Sequence, residues 1–186
     1  MSTPHPLFAA ALDDLNTLRE RPWAHALDVD AFESFLLANP GAVLRDRAEH
    51  LTVSVMVFTL DLSQILLCFH AKGGVWVQPG GHLEPSDDTP RQAAAREVLE
   101  ESGVEDLTWV DDAPVDLTRY TSTATFGACV GHWDLTYAAT APARTPRVSE
   151  ESKAVGWFPV SDLAHPQARG FSDQVDRVLQ RIKQFS

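Results

Sequence analysis

The sequence is short of positive charge: its 186 residues hold 15 Lys and Arg against 26 Asp and Glu, a formal net charge of −11. A chain this acidic lacks the basic surface that a nucleic-acid polymer requires, which argues against that class of partner. Anionic nucleotides stay compatible, because a bound cation reverses the local field. Cysteine is equally scarce. Cys68 and Cys129 both lie in strand-like apolar runs and read as buried free thiols in a reducing compartment rather than as a disulfide. No apolar run is long enough to span a bilayer and no signal-peptide pattern is apparent. The expectation is a soluble, cytoplasmic protein with no membrane partner. Internal repeats and low-complexity tracts are also missing, and 44% hydrophobic content suffices for one core.

What is present is concentrated between Pro79 and Val104. Gly80 and Gly81 open this stretch, and a turn-rich loop follows through Glu84, Pro85 and Ser86. A helix comes next, with its ends written in the sequence. Thr89 is suited to N-cap, Pro90 to the first helical position and Gln92 to a capping box, while Gly103 supplies a left-handed terminator. At about 100° per residue, Glu97, Glu100 and Glu101 share roughly 100° of arc, so three carboxylates occupy one helix face. Glu100 and Glu101 also sit at the negative end of the helix dipole, with Arg96 the cation inside the cluster. Acids crowded there disfavour folding unless something positive binds, and oxygen ligands select Mg²⁺ or Mn²⁺. An acidic segment alone is usually a solvated face. Joined to a double-glycine loop and a capped helix, it reads as a metal-dependent phosphate site.

This stretch resembles the Nudix box, G-x5-E-x7-R-E-U-x-E-E-x-G-U with U aliphatic. Gly81, Arg96, Glu97, Val98, Glu100, Glu101, Gly103 and Val104 fall on motif positions. Asp88 stands where the motif has its first Glu, and one extra residue separates it from Gly81, a slip placed in the loop. The resemblance implies metal-ligand carboxylates at Glu97, Glu100 and Glu101, and a further oxygen from the Gly80 carbonyl. It also implies that Arg96 orients the glutamates. The base that activates water is then Glu97 or, second, Glu151, whose segment SEESKAVGWF resembles the acid-bearing loop before a Trp-containing strand. A solvated acid is the alternative for Glu151. The implied reaction is water attack on a diphosphate linkage, with Mg²⁺ or Mn²⁺ as cofactor and a nucleoside diphosphate-X or nucleoside triphosphate as substrate. A catalytically silent nucleotide-binding module and an isoprenyl diphosphate isomerase are rival readings. None of the helix glutamates Glu97, Glu100 and Glu101 is lost, which counts against the first. The surroundings of Cys129, FGACVGHW, do not resemble the isomerase cysteine motif.

The rest of the chain sets the fold. Residues 1–48 read as a helical extension. Phe8, Ala11, Leu12 and Leu15 form one stripe; Phe32, Phe35 and Leu36 form a second that ends at Asn39-Pro40-Gly41. Packing on the following domain is the default for these helices, with a subunit interface, hence a homodimer, or a cover over the site as alternatives. Residues 49–186 form the second region. LTVSVMVFTL and QILLCFH read as a hairpin around Asp61-Leu62-Ser63, and Val75 to Gln78 as a strand leading into the glycines. Leu107–Val110, Leu117–Ser122, Ala124–Ala139 and Ala154–Val160 read as further strands, with Trp133, Leu135 and Tyr137 alternating on one side. A final helix capped by Ser172 carries Val175, Val178, Leu179 and Ile182. This order predicts an α+β fold, and the resemblance implies a Nudix-type α/β/α sandwich with a mixed sheet.

Substrate contacts are expected from His70, Lys72 and Trp76. Solvation is the plainer reading for Lys72, and core packing for Trp76. His132 and Trp133 carry the same ambiguity, whereas His82 reads mainly as a turn histidine bonded to its own loop.

Overall fold

The computed structural model of the chain describes residues 5–71, 73–121, 130–147 and 152–185; Lys72, Cys129 and Glu151 lie outside the described residues. Within them the order is α1 (Pro6–Arg19), α2 (Val29–Ala38), β1 (Glu49–Thr59), β2 (Gln64–His70), β3 (Val75–Val77), β4 (Gly80–His82), α3 (Pro90–Ser102), β5 (Thr108–Trp109), β6 (Asp116–Thr121), β7 (Gly131–Ala141), β8 (Ser152–Pro159) and α4 (Phe171–Ile182). The strands make one eight-stranded sheet in the order β3-β2-β1-β7-β5, with β4 on β1, β6 on β7 and β8 on β2. Antiparallel pairs dominate, and a parallel bridge joins Trp76 to Gln167. Helices combined with one large sheet realise the α+β class expected from the sequence.

Two compact units are recognisable: Met1–Val53 with Gly81–Ala94 and Asp112–Tyr137, and Ser54–Gly80 with Ala95–Asp111 and Ala138–Ser186. In the first, Pro6 starts α1 and the His5 ring accepts the Leu7 N–H at 3.3 Å. That start brings Leu7, Ala11, Leu15 and Leu18 inward, a stripe rotated from the expected one and leaving Phe8 and Leu12 half-buried. Arg19 ties α1 to α2 through Asp30 and Glu33, each at 2.6 Å, but these exposed pairs add little. The apolar contact matters more. Phe35 of α2 stacks on Trp133 of β7 with centroids 4.3 Å apart, and Phe32 meets the same ring edge-on at 5.0 Å. Trp133 is 8% exposed, donates its indole N–H to Glu49 at 2.9 Å, and lies under the Arg119 guanidinium. Its ring is engaged in packing the amino-terminal helices onto the sheet.

A second link joins the same elements. The fully buried Tyr137 donates its hydroxyl to Asp14 at 2.6 Å. Burial, partly offset by this bond, pushes the Asp14 carboxyl up to about 6. A raised carboxyl favours the folded state while it is protonated, and this contribution is lost as pH rises from about 4 to about 6. Asp14→Asn keeps an acceptor for Tyr137 but removes the charge. It should therefore be more stable than the parent at pH 7.5 by up to about 3 kcal/mol, with the gain vanishing below about pH 4. Urea unfolding at both pH values checks this.

In the second unit the hairpin forms as expected, with Phe58 opposite Ile65. Asp61 accepts hydrogen bonds from the Thr59 hydroxyl and from the Ser63 hydroxyl and N–H, and these hold its carboxyl down at about 2. β2 pairs with both β3 and β8, and Cys68 is a buried free thiol within it. Two expectations need correction here. The segment at Gly80–His82 is a short strand, because it pairs with β1. α4 begins at Phe171 behind Gly170, whose φ of 77° makes the turn, so Ser172 sits inside the first turn and does not cap it. Of the strand expected from Ala124, β7 accounts for Gly131 onward, and residues 122–129 lie outside the described residues.

Candidate active site

α3 is assembled from its sequence signals. Thr89 Oγ1 accepts the Gln92 N–H at 3.1 Å, while Gln92 Oε1 accepts the Asp88 N–H at 2.7 Å, a capping box displaced by one residue at its return bond. At the far end Gly103 takes φ 70° and its N–H reaches the Leu99 carbonyl at 2.8 Å. A side chain at Gly103 would be strained by that φ and would meet Arg147, whose backbone N–H caps the Ser102 carbonyl at 2.7 Å. Ala93, Ala94 and Val98 are fully buried, which fixes the roll of the helix and hence the direction of its acidic face.

That face holds Arg96, Glu97, Glu100 and Glu101. Arg96 donates from one guanidinium nitrogen to Glu97 at 2.9 Å and to Glu100 at 3.0 Å. Glu101 accepts the Gly80 backbone N–H at 3.1 Å. Glu97 is 9% exposed, whereas Glu100 is exposed and Glu101 half-buried. These contacts make two sets, Arg96 with Glu97 and Glu100, and Glu101 with Gly80, both within the second unit. A set of carboxylate oxygens with one bridging arginine suits a hard divalent cation, Mg²⁺ or Mn²⁺. The arginine restrains the two acids it touches, and the peptide N–H of the glycine loop restrains the third.

For the other sequence candidates the structure gives local contacts. His70 accepts the Gly73 N–H on Nδ1 at 2.9 Å and so closes the turn after β2. Trp76 packs edge-on against Phe69 and Phe158, with centroids 5.4 and 4.8 Å away. Lys72 and Glu151 lie outside the described residues. His82, expected in a turn, is the last residue of β4, and its ring lies against His50 and His132. Burial first, then the charge of Arg45 and the two neighbouring imidazoles, pushes His82 down to about 3.

Sequence reasoning missed two features. Asp87, not Asp88, is the buried acid of the loop: it is 5% exposed and accepts the Glu84 N–H at 2.8 Å, while Asp88 is exposed. Counting forward from Gly81 past five intervening residues, rather than back from Arg96, would have found it. The second is the polar row His50, Thr52 on β1 and His132, Asp134, Thr136 on β7. Thr52 and Thr136 donate to the two oxygens of Asp134 at 2.9 and 2.8 Å. Its only signal is the spacing of two along strands that are otherwise apolar.

Comparison with known proteins bears on the fold and the family. A family model described as NUDIX domain matches residues 49–179. No curated protein matches the chain. Among solved structures, a hydrolase of the NUDIX family from Clostridium perfringens is similar with a TM-score of 0.59 at 22% identity, covering 74% of this chain and 98% of that one. The NUDIX domain of Shewanella oneidensis NrtR, complexed with ADP ribose, is similar with a TM-score of 0.59 at 22% identity over 81% of this chain and 98% of that one. The E. coli dihydroneopterin triphosphate pyrophosphohydrolase has a TM-score of 0.58 at 18% identity over 72% and 97%. At these identities the solved structures establish the fold, and the matched domain together with the box in α3 establishes the family: the chain belongs to the NUDIX domain family.

Proposed function

We propose that the chain hydrolyses a diphosphate linkage in a nucleoside diphosphate-X or nucleoside triphosphate, with Mg²⁺ or Mn²⁺ held by Glu97, Glu100, Glu101 and the Gly80 carbonyl. The observation that carries this is the pair of contacts made from one helix face: Arg96 joins Glu97 to Glu100, and Glu101 holds the Gly80 peptide. The bound cation would neutralise the diphosphate and polarise its phosphorus. Glu97 serves as base, taking a proton from water as it attacks in line. Arg96 keeps Glu97 turned toward the cluster. Glu101 restrains the glycine loop by accepting the Gly80 N–H. The ADP ribose in the NrtR domain supports a nucleoside diphosphate-X substrate on this fold. Release of phosphate or mononucleotide from a panel of such substrates, with Mg²⁺ supplied, tests the reading; no release from any of them overturns it.

The cation should also stabilise the fold. A ligand specific to the folded state, at 100 times its dissociation constant, adds about 2.7 kcal/mol. Thermal unfolding with EDTA and with excess Mg²⁺ should therefore give clearly separated midpoints. Coincident midpoints would remove the cation site from the account. The chain is expected to act in the cytoplasm; among the described residues no helix is long and apolar enough to cross a membrane.

A further inference from the structure

Three imidazoles, from three strands, meet in the first unit. His50 comes from β1, His82 from β4 and His132 from β7, with ring centroids 4.9, 4.9 and 5.5 Å apart. Each offers one ligand-capable nitrogen, and these three atoms lie within 4.8 Å of one another. We propose that His50, His82 and His132 form a binding site for a divalent transition-metal ion of the zinc class, built from different ligands and selecting a different metal from the carboxylate cluster.

The geometry is close to what such an ion needs. Any three points within 4.8 Å of one another share a centre no more than about 2.8 Å from each. Zinc–nitrogen bonds are about 2.0–2.1 Å, so each ring must move by under about 1 Å, within reach of small side-chain rotations. The tautomer of one ligand is already arranged. His50 is fully buried, and its Nδ1 lies 2.8 Å from the Arg47 carbonyl oxygen. A carbonyl only accepts, so Nδ1 carries the proton and Nε2 presents its lone pair. This is the outer-sphere support that metal-bound histidines commonly have. The Nε2 atoms of His82 and His132 are shut off from solvent.

The surroundings supply charge balance. Asp134 follows His132 by two residues on the same side of β7, is 4% exposed, and has both oxygens fixed by Thr52 and Thr136. A buried carboxylate about 7 Å along the strand offsets part of the charge of a dication. Nitrogen donors favour zinc, cobalt, nickel and copper over magnesium, so Mg²⁺ at the carboxylates would not compete. Three protein ligands leave a position for water or an anionic oxygen.

The test uses the full chain, stripped with chelator and titrated with Zn²⁺ and then Co²⁺ in excess Mg²⁺. One equivalent of Zn²⁺ should bind, and Co²⁺ should develop the visible absorption of a nitrogen-ligated centre. His50→Gln, His82→Gln and His132→Gln should each weaken zinc binding by more than about 100-fold, beyond what losing an outer-sphere partner causes. Glu100→Gln should leave zinc binding within about threefold. Should a histidine variant fail to fold, imidazole NMR resonances of the parent chain decide: all three should shift on adding one equivalent of Zn²⁺. Absence of saturable zinc binding, unshifted imidazoles, or an equal loss in Glu100→Gln overturns the proposal.

Discussion

Glu97→Gln should lower kcat by about 10²–10⁴-fold at saturating Mg²⁺, the range that a positioned general base contributes. Glu97, Glu100 and Glu101 share a helix face, so all three substitutions are expected to weaken metal binding; what separates them is the defect that persists once metal is saturating. Glu100 is exposed and meets the cluster through Arg96, and its replacement by Gln removes charge while keeping size. Turnover in Glu100→Gln should recover in large part as Mg²⁺ is raised. Glu101→Gln should recover less, because the carboxylate that accepts the Gly80 N–H becomes an amide and the glycine loop loosens. Glu97→Gln should not recover, since an amide takes no proton from water at any metal concentration. Glu151→Gln should be nearly silent. A larger saturating-metal defect in Glu151→Gln than in Glu97→Gln would move the base to that acid and leave Glu97 as a ligand. The measurement is kcat against Mg²⁺ concentration for the four variants.

The catalytic helix was legible in the sequence because its signals are local. Thr89, Gln92 and Gly103 act through bonds spanning four residues or fewer, and the acidic face follows from helix periodicity alone. The loop before it was less legible, since the extra residue can be assigned from either end. Only burial distinguishes Asp87, which closes the loop, from the exposed Asp88. The polar row on β1 and β7 was not legible. Alternating polar residues on a strand normally mark a solvated face, yet His50, Thr52, Asp134 and Thr136 are all buried. Their partners lie about 80 residues away, Thr52 bonding Asp134 and Glu49 bonding Trp133, and no local pattern encodes such pairings. The start of α4 failed for a smaller reason: Gly170 with positive φ and the buried Phe171 together set the helix two residues earlier than a Ser172 cap would.

Removal of residues 1–48 should destabilise the chain by more than about 5 kcal/mol, enough to abolish a folded domain of ordinary stability. The deletion takes Phe32 and Phe35 from Trp133, whose indole is then open to water on the side that α2 covers. Losing aromatic contacts of this kind costs about 3–5 kcal/mol for one large-to-small core change. It also takes Asp14 from Tyr137, stripping a fully buried hydroxyl of that acceptor at a cost of about 1–3 kcal/mol. Leu7, Ala11, Leu15 and Leu18 leave the core at the same time. The family model begins at Glu49, so the deleted segment lies outside the matched domain; the contacts nonetheless make the extension part of the folding unit. Chain 49–186 should be insoluble, or should associate through the bared surface around Trp133. Phe35→Ala in the full chain should reproduce a fraction of the loss, about 3 kcal/mol, without removing chain. Urea unfolding and solution mass of the two proteins check both statements. A soluble 49–186 chain with the parent's midpoint and a monomer mass would show that the helices only decorate the domain.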